Sequence, residues 1–194
     1  MLSELLQRKN IILGSKSPRR KELLAGLDIT FETRTKEVEE TFPNTIEQHK
    51  VAEYLAEKKG TAFTTELTEN DIIITSDTIV LCNGEILGKP KDEQNAFQML
   101  TKLSGKSHQV ITGVCIKSTE KTIIFSDTTK VWFKSLTSEE INFYIKKYKP
   151  FDKAGSYGIQ EWIGYIGIEK IEGTYFNVMG LPVNLLYKKL QDFV

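Results

Sequence analysis

A run of hydroxyl and basic side chains follows the first apolar segment of the chain. Residues 15–20 read Ser-Lys-Ser-Pro-Arg-Arg, directly after an apolar run at residues 11–13. Backbone N–H groups at a helix N-terminus, joined by hydroxyls, form a cradle for phosphate-like anions. Arg19 and Arg20 would oppose the helix dipole unless an anion met them, and guanidinium groups match phosphate oxygens. The alternative is a solvated basic start of a helix.

Acidic side chains form a second candidate group. Asp77 stands between Ser76 and Thr78 after an apolar run at residues 72–74. A buried carboxylate is costly unless it is paired, hydrated or bound to metal. Asp77 could therefore activate a water or hold Mg²⁺ against a phosphate, although a turn or capping role fits equally well. Glu39 or Glu40 could complete such a metal site, or simply be solvated.

Two lysines offer positive charge near these groups. Lys59 shares one face of a predicted helix with Leu55 and Phe63, by three-and-four spacing. A lysine on such a face either extends its ammonium to solvent or meets a buried anion. Lys89, between Gly88 and Pro90, offers a point charge where glycine permits close approach of the backbone. A Gly-Lys-Pro turn is common, so this motif alone is weak.

A glycine-rich stretch at residues 154–160 ends in Gln160. The amide of Gln160 can make paired hydrogen bonds, which suits reading a uracil or thymine edge. A surface glutamine without such a role is the default alternative.

The elements that must position these residues alternate between strand and helix patterns, which is typical of an α/β fold. Ser17 and Pro18 predict a helix start, and Gly26 its end. Asn83-Gly84 predicts a two-residue hairpin, so the sheet is expected to be mixed. Strands are predicted near residues 11–14, 71–81, 108–117, 122–133 and 163–171. Helices are predicted near residues 17–26, 45–64, 92–103 and 137–148, and from residue 181 onward.

Composition limits the function classes. The 194 residues carry 26 basic and 26 acidic side chains, and this zero net charge disfavours a general nucleic-acid or membrane-surface binder. Cys82 and Cys115 lie in apolar runs without metal spacing and are expected to be buried and reduced. His49 and His108 are too few for a histidine-based metal site. We find no targeting or membrane-spanning segment, so a cytoplasmic protein is expected.

The motifs, taken in order and spacing, resemble the Maf family of nucleoside triphosphate pyrophosphatases. The matching stretches are SKSPRR, EVEE, LAEKK, SDTIV, LGKP, LSGKSHQVITGV, FDKAGSYGIQE and NVMGLP. The resemblance implies one domain over residues 1–194. It also implies an α/β fold with an elongated mixed β-sheet flanked by helices, in two lobes with an active-site cleft between them. The implied reaction cuts a nucleoside triphosphate between its α and β phosphates, with Mg²⁺ or Mn²⁺ as cofactor.

The resemblance also implies roles for individual residues. Asp77 would be the active-site acid, acting as proton acceptor or metal ligand, and Glu40 a second metal ligand. Basic groups would offset charge on the phosphates. The implied phosphate-binding residues are Ser15, Arg20, Lys59 and Lys89.

Three positions separate the branches of the family. Arg19, Thr78 and Gln160 match the branch that hydrolyses dTTP and UTP, and CTP or modified pyrimidine nucleotides would be further substrates. The 7-methyl-GTP branch carries an aromatic residue, Gln and Glu at these positions. Two rival functions stay open, a 7-methyl-GTP or other modified-nucleotide pyrophosphatase and a nucleotide-binding regulator of septum formation. The expected partner is a nucleoside triphosphate, with no stable nucleic acid or membrane; the oligomeric state stays open, although homodimers are common in the family.

Overall fold

The computed structural model describes all 194 residues. The strands are β1 (Asn10–Leu13), β2 (Glu32–Thr33), β3 (Asp71–Cys82), β4 (Glu85–Leu87), β5 (Ser107–Lys117), β6 (Thr122–Phe133) and β7 (Ile168–Glu172). The α-helices are α1 (Leu2–Leu5), α2 (Pro18–Ala25), α3 (Val51–Thr61), α4 (Glu93–Leu103), α5 (Ser138–Tyr148), α6 (Trp162–Gly167), α7 (Tyr175–Met179) and α8 (Val183–Phe193). Short 3₁₀ turns lie at Gln48–Lys50, Thr64–Glu66 and Ala154–Ser156.

The strands form one mixed sheet. Their order is β2-β1-β3-β5-β6-β7, and β4 pairs with β3. β1 runs parallel to both β2 and β3, whereas β3–β4 and β6–β7 are antiparallel. The predicted α/β class with a mixed sheet flanked by helices is therefore confirmed.

Local sequence signals explain the elements nearest the candidate site. Ser17 is the N-cap of α2 and Pro18 its first residue, as predicted. Gly26 ends this helix, but at φ −65° it has an ordinary conformation that does not require glycine. Asn83 and Gly84 both have positive φ, which closes the predicted two-residue hairpin between β3 and β4.

Two predicted elements differ from the structure. The helix expected from residue 45 begins at Val51, after a 3₁₀ turn, and its N-terminus has no side-chain cap. The strand expected over residues 163–171 is instead α6 followed by β7. Ile163 and Gly167 are both buried, which is helical spacing. Gly164 packs against the backbone of Ile159, where an added Cβ would lie 1.8 Å from the carbonyl oxygen. This close backbone contact, between residues five apart in the sequence, accompanies the helix in place of the expected strand.

The chain divides into two compact units, each built from separate segments. The first unit contains residues 1–77, 112–127 and 180–194. The second contains residues 78–111 and 128–179. Each unit therefore depends on segments that are distant in sequence.

Each unit has its own apolar core. In the first unit Ile12, Phe63 and Ile73 form one buried cluster. In the second, the rings of Phe133 and Tyr157 meet edge to face with their centroids 4.9 Å apart. None of the helices is both long and apolar enough to cross a membrane.

Helix α3 packs closely on β5 within the first unit. A Cβ added to Gly113 would lie 2.2 Å from the backbone carbonyl carbon of Ala52, so only glycine permits this approach. This close packing of α3 on β5 fixes the height of α3 above the sheet and hence the position of Lys59.

The two cysteines are free and buried, as expected.

Candidate active site

Asp77 and Lys59 form the centre of the charged cluster in the first unit. Asp77 lies within β3 and is 7% exposed. The Lys59 ammonium lies 2.5 Å from Asp77 Oδ1 and 2.8 Å from Glu40 Oε1. One ammonium thus joins two carboxylates from different elements. Of the two alternatives for Lys59, the structure shows the one in which it meets an anion.

Lys36 holds the C-terminal end of α3. Lys36 Nζ donates to the Ala62 carbonyl at 2.6 Å and pairs with Glu66 at 2.5 Å. The same ammonium lies 5.2 Å from the centroid of the Phe63 ring. A cation at a helix C-terminus is favourable against the helix dipole, so Lys36 helps to hold the helix that carries Lys59.

Arg20 joins the cluster through the backbone. Its Nε donates to the Gly180 carbonyl at 2.9 Å and its Nη1 to the Ser76 carbonyl at 2.8 Å. Burial is the largest influence on the pKa of Arg20 and lowers it. The Asp77 carboxylate acts in the opposite direction, which places the guanidinium within the field of that carboxylate. Arg20 therefore has both a structural role and a charge directed at the site.

The hydroxyls of the first cluster order the start of α2. Ser15 Oγ accepts a hydrogen bond from the Ser17 backbone N–H at 3.1 Å. Ser17 Oγ in turn accepts from the Arg20 N–H at 3.5 Å. Arg19 is half-buried beside Arg20 and lowers its pKa. Ser15, Arg19 and Arg20 are thus held together on one loop and first helical turn.

The carboxylates suit a metal that arrives with a substrate. No group of three or more His, Cys, Asp or Glu side chains converges anywhere in the chain. Asp77 and Glu40 nevertheless share one cation, the Lys59 ammonium. Mg²⁺ is commonly held by one or two carboxylates, with phosphates and water completing its shell. These two oxygen donors fit that pattern and do not fit an all-protein metal cage.

The remaining predicted residues, Thr78, Lys89 and Gln160, belong to the second unit, and Thr78 is its first residue, directly after Asp77 in β3. Thr78 is half-buried and Lys89 is exposed. Gly88, next to Lys89, accepts a hydrogen bond from the Gly155 N–H at 3.1 Å. This bond ties the Leu-Gly-Lys-Pro segment to the glycine-rich stretch.

Gln160 lies in a turn at the end of that stretch. Its Oε1 is buried and has no hydrogen-bond partner within the protein. A buried carbonyl oxygen without a partner costs free energy, and such exceptions call for an explanation. An acceptor in this state is suited to a donor supplied by a ligand.

Three polar residues that contact the turn containing Gln160 were not singled out from the sequence: Tyr144, Lys153 and Glu161. Lys153 is only 8% exposed, and its ammonium lies 2.8 Å from Asp152 and 3.1 Å from Glu161. The Tyr144 hydroxyl donates to the Glu161 carboxylate. Lys153 and Glu161 fall within the FDKAGSYGIQE stretch, so the family motif already included both residues. The burial of Lys153 could not be read from the sequence.

The two histidines do not contact the charged cluster around Asp77. His108 is buried, and its Nε2 lies 2.7 Å from the Tyr157 hydroxyl. Burial lowers the pKa of His108 to about 4, so the ring is neutral at physiological pH. His49 is exposed on a 3₁₀ turn.

The α/β fold of the chain is found in a solved structure. Its fold is similar to that of the Staphylococcus aureus Ham1 protein, with a TM-score of 0.54 and 18% identity. That likeness covers 96% of this chain and 100% of the other. At this identity it establishes the fold alone.

The family follows from the sequence comparison. A family model described as Maf-like protein matches residues 10–193, and the chain belongs to that family. It is 51% identical over 191 residues to a dTTP/UTP pyrophosphatase of Porphyromonas gingivalis, covering 97% of this chain and 96% of that protein. It is 53% identical over 189 residues to a dTTP/UTP pyrophosphatase of Phocaeicola vulgatus, covering 97% and 98%. The predicted membership is confirmed.

Proposed function

We propose that this protein hydrolyses dTTP and UTP to the monophosphate and pyrophosphate. The observation that carries the proposal is the buried Asp77 carboxylate, paired with Lys59 and lying in the field of Arg20. An acid held among cations suits chemistry on a polyanionic substrate. Relatives with about half their residues identical are named for this activity, which supports the substrate choice.

The chemistry assigned to the chain uses Asp77 as the proton acceptor. Its carboxylate orients a water and takes a proton as that water attacks the α-phosphorus. The bond to the β-phosphate oxygen breaks, and pyrophosphate leaves. Lys59, Arg20 and Lys89 offset negative charge on the phosphates, and Ser15 holds the loop that presents Arg20. Asp77 and Glu40 would hold Mg²⁺ or Mn²⁺, which supplies Lewis-acid polarisation of phosphate oxygens when bound.

Base selection is assigned to Arg19, Thr78 and Gln160. A uracil or thymine ring presents an N3–H donor beside an O4 acceptor. A glutamine amide offers the complementary acceptor and donor. The buried Gln160 Oε1, which has no partner in the protein, is suited to accept from N3–H.

The deciding experiment is a panel of triphosphates, with pyrophosphate and orthophosphate measured separately. We expect UTP and dTTP to be cut fastest. Each should yield a nucleoside monophosphate and pyrophosphate, with no release of orthophosphate. CTP and modified pyrimidine nucleotides belong in the same panel. Faster cleavage of 7-methyl-GTP would overturn the branch assignment. Absence of pyrophosphate release with Mg²⁺ or Mn²⁺ present would overturn the enzymatic function and favour a nucleotide-binding regulator.

We also propose that residues 1–194 act as one functional domain in the cytoplasm. Segments of the two units alternate along the chain, and the family match spans both. A homodimer stays a prediction from the resemblance, as does the absence of stable nucleic-acid or membrane binding.

A further inference from the structure

Gln160 is the third residue of a tight turn. The turn begins at Gly158, and its closing hydrogen bond runs from the Glu161 N–H to the Gly158 carbonyl at 3.0 Å. Glu161 is also the N-cap of α6. The turn therefore has one end in the glycine-rich stretch and the other fixed to a helix.

The Tyr144 hydroxyl bonds to both ends of this turn. It accepts a hydrogen bond from the Gly158 N–H at 3.0 Å and donates one to the Glu161 carboxylate. Tyr144 is on α5 and is 0% exposed. Burial and the Glu161 carboxylate raise its pKa, so the hydroxyl keeps its proton and stays a donor. A single buried group thus holds the turn closed from outside it.

Lys153 holds the same carboxylate from a second direction. Its buried ammonium lies 3.1 Å from Glu161 Oε1. A Cβ added to Gly158 would lie 2.9 Å from Glu161 Cδ and 3.1 Å from Lys153 Cε. The ion pair therefore packs directly against the start of the turn, and an added Cβ at Gly158 would require these two side chains to shift. A buried lysine beside a half-buried glutamate is costly unless the two are paired, so the pairing resists displacement.

The Gln160 amide oxygen takes its direction from this arrangement. Oε1 has no hydrogen-bond partner in the protein that could orient it. Its placement then depends on the turn backbone, whose two ends contact Tyr144 and Lys153. Hydrogen-bond recognition depends on such placement, and a displacement of about 1 Å can cost on the order of a hundredfold in rate.

We propose that Tyr144, Lys153 and Glu161 are positioning residues for base discrimination, acting through Gln160. The inference rests on the proposed function, since it assigns their effect to pyrimidine triphosphates. Their loss should lower kcat/KM for UTP while leaving kcat/KM for GTP nearly unchanged.

The test compares Tyr144→Phe with Tyr148→Phe in the full chain. Both residues lie on α5, and their rings stack with centroids 5.2 Å apart, but the Tyr148 hydroxyl takes no part in the turn. We expect Tyr144→Phe to reduce the ratio of kcat/KM for UTP over GTP by about tenfold. The Tyr148→Phe control should keep the wild-type ratio.

A double-mutant cycle separates positioning from general weakening of the fold. If Tyr144 acts through Gln160, adding Tyr144→Phe to Gln160→Ala should not reduce the ratio further. Equal, additive losses in both backgrounds would overturn the proposal. So would an unchanged ratio in Tyr144→Phe while the wild type prefers UTP. A wild type that releases no pyrophosphate would instead overturn the proposed function.

The charged pair gives a second route if Tyr144→Phe does not fold. Lys153→Met should lower the ratio, and Lys153→Arg should restore most of it because the guanidinium can still pair with Glu161. Midpoints of thermal unfolding accompany each ratio. A ratio that stays at the wild-type value in folded Lys153→Met would also overturn the proposal.

Discussion

Asp77 carries the carboxylate around which the candidate site is arranged. Its Oδ1 lies 2.5 Å from the Lys59 ammonium, and Glu40 shares the same cation. The pairing keeps a charged carboxylate in a position that is only 7% exposed. It also holds Asp77 in a fixed direction before any substrate arrives.

Asp77→Asn tests the carboxylate as proton acceptor. The amide keeps the shape and a hydrogen bond to Lys59 but cannot take a proton. We expect kcat for UTP to fall by about 10²- to 10⁴-fold, measured as pyrophosphate release. Glu37→Gln is the control, because Glu37 is an exposed partner of Lys16 at 3.4 Å. Retention of the full rate by Asp77→Asn would exclude a catalytic role for Asp77.

Lys59→Met tests the cation that joins the two carboxylates. Loss of the ammonium removes charge compensation from the phosphates and leaves Asp77 and Glu40 unneutralised. We expect kcat/KM to fall by about a hundredfold. Lys58→Met is the matched control on the same helix, since the Lys58 ammonium bonds to Thr41 at 3.1 and 3.2 Å. Equal effects of the two substitutions would assign the loss to the helix instead of to the site.

Residue types and spacing anticipated the charged cluster but not its pairings. Helical periodicity placed Lys59 on the buried face without deciding between solvent and an anion. Arg20 donates to the backbone carbonyls of Ser76 and Gly180. No pattern of side chains in the sequence shows which carbonyls an arginine will meet. Lys153 was not singled out from the sequence, because its burial depends on how residues distant in sequence pack.

At the scale of elements, α3 depends on the absence of a side chain at one position in β5. A Cβ on Gly113 would lie 2.2 Å from backbone atoms of Ala52, so the helix would have to move outward. The same helix carries Lys59 to Asp77. Helix packing and the charged cluster are therefore coupled.

Gly113→Ala should cost stability and activity together. Overpacking at such a contact costs about 2 kcal/mol in the free energy of unfolding. The displaced helix should also lower kcat through Lys59. Gly26→Ala is the control, because its added Cβ would meet nothing closer than 3.4 Å and its φ is −65°. Denaturant unfolding and pyrophosphate release measure the two effects, and a fully stable, fully active Gly113→Ala would contradict the coupling.

The start of α5 was predicted closely from a local signal, whereas the segment from residue 163 was predicted as a strand and forms a helix followed by a short strand. The Thr137 and Glu140 capping box marks the start of α5, and both of its hydrogen bonds are present. The segment from residue 163 alternates apolar and other residues, which favours a strand. It forms α6 instead, with Ile163 and Gly167 buried at helical spacing and Gly164 against the backbone of Ile159.

At the scale of the whole molecule, one buried histidine links stability to pH. The pKa of His108 is about 4 in the folded protein, whereas its ordinary value is 6.5. Between these values the unfolded chain binds a proton that the folded chain does not. The free energy of unfolding therefore decreases as the pH falls from about 6.5 to 4. Below pH 4 the protonation of His108 changes it no further.

His108→Gln should remove this loss. At pH 5 the histidine lowers the free energy of unfolding by about 2 kcal/mol relative to pH 7.5. Denaturant unfolding at both pH values measures the free energy of unfolding. The difference between the two pH values should be about 2 kcal/mol smaller in His108→Gln than in the wild type. Exposed His49 provides the control as His49→Gln. An unchanged difference in His108→Gln would place the acid sensitivity elsewhere.

The division into two units has a consequence for synthesis. All segments of the second unit have left the ribosome once residue 179 has, whereas the first unit still lacks residues 180–194. Arg20 then has no Gly180 carbonyl to hold its Nε. The N-terminal segment, made first, is thus among the last to complete its native contacts. A chain that stopped before residue 180 would lack the last segment of the first unit and the carbonyl that accepts from Arg20 Nε.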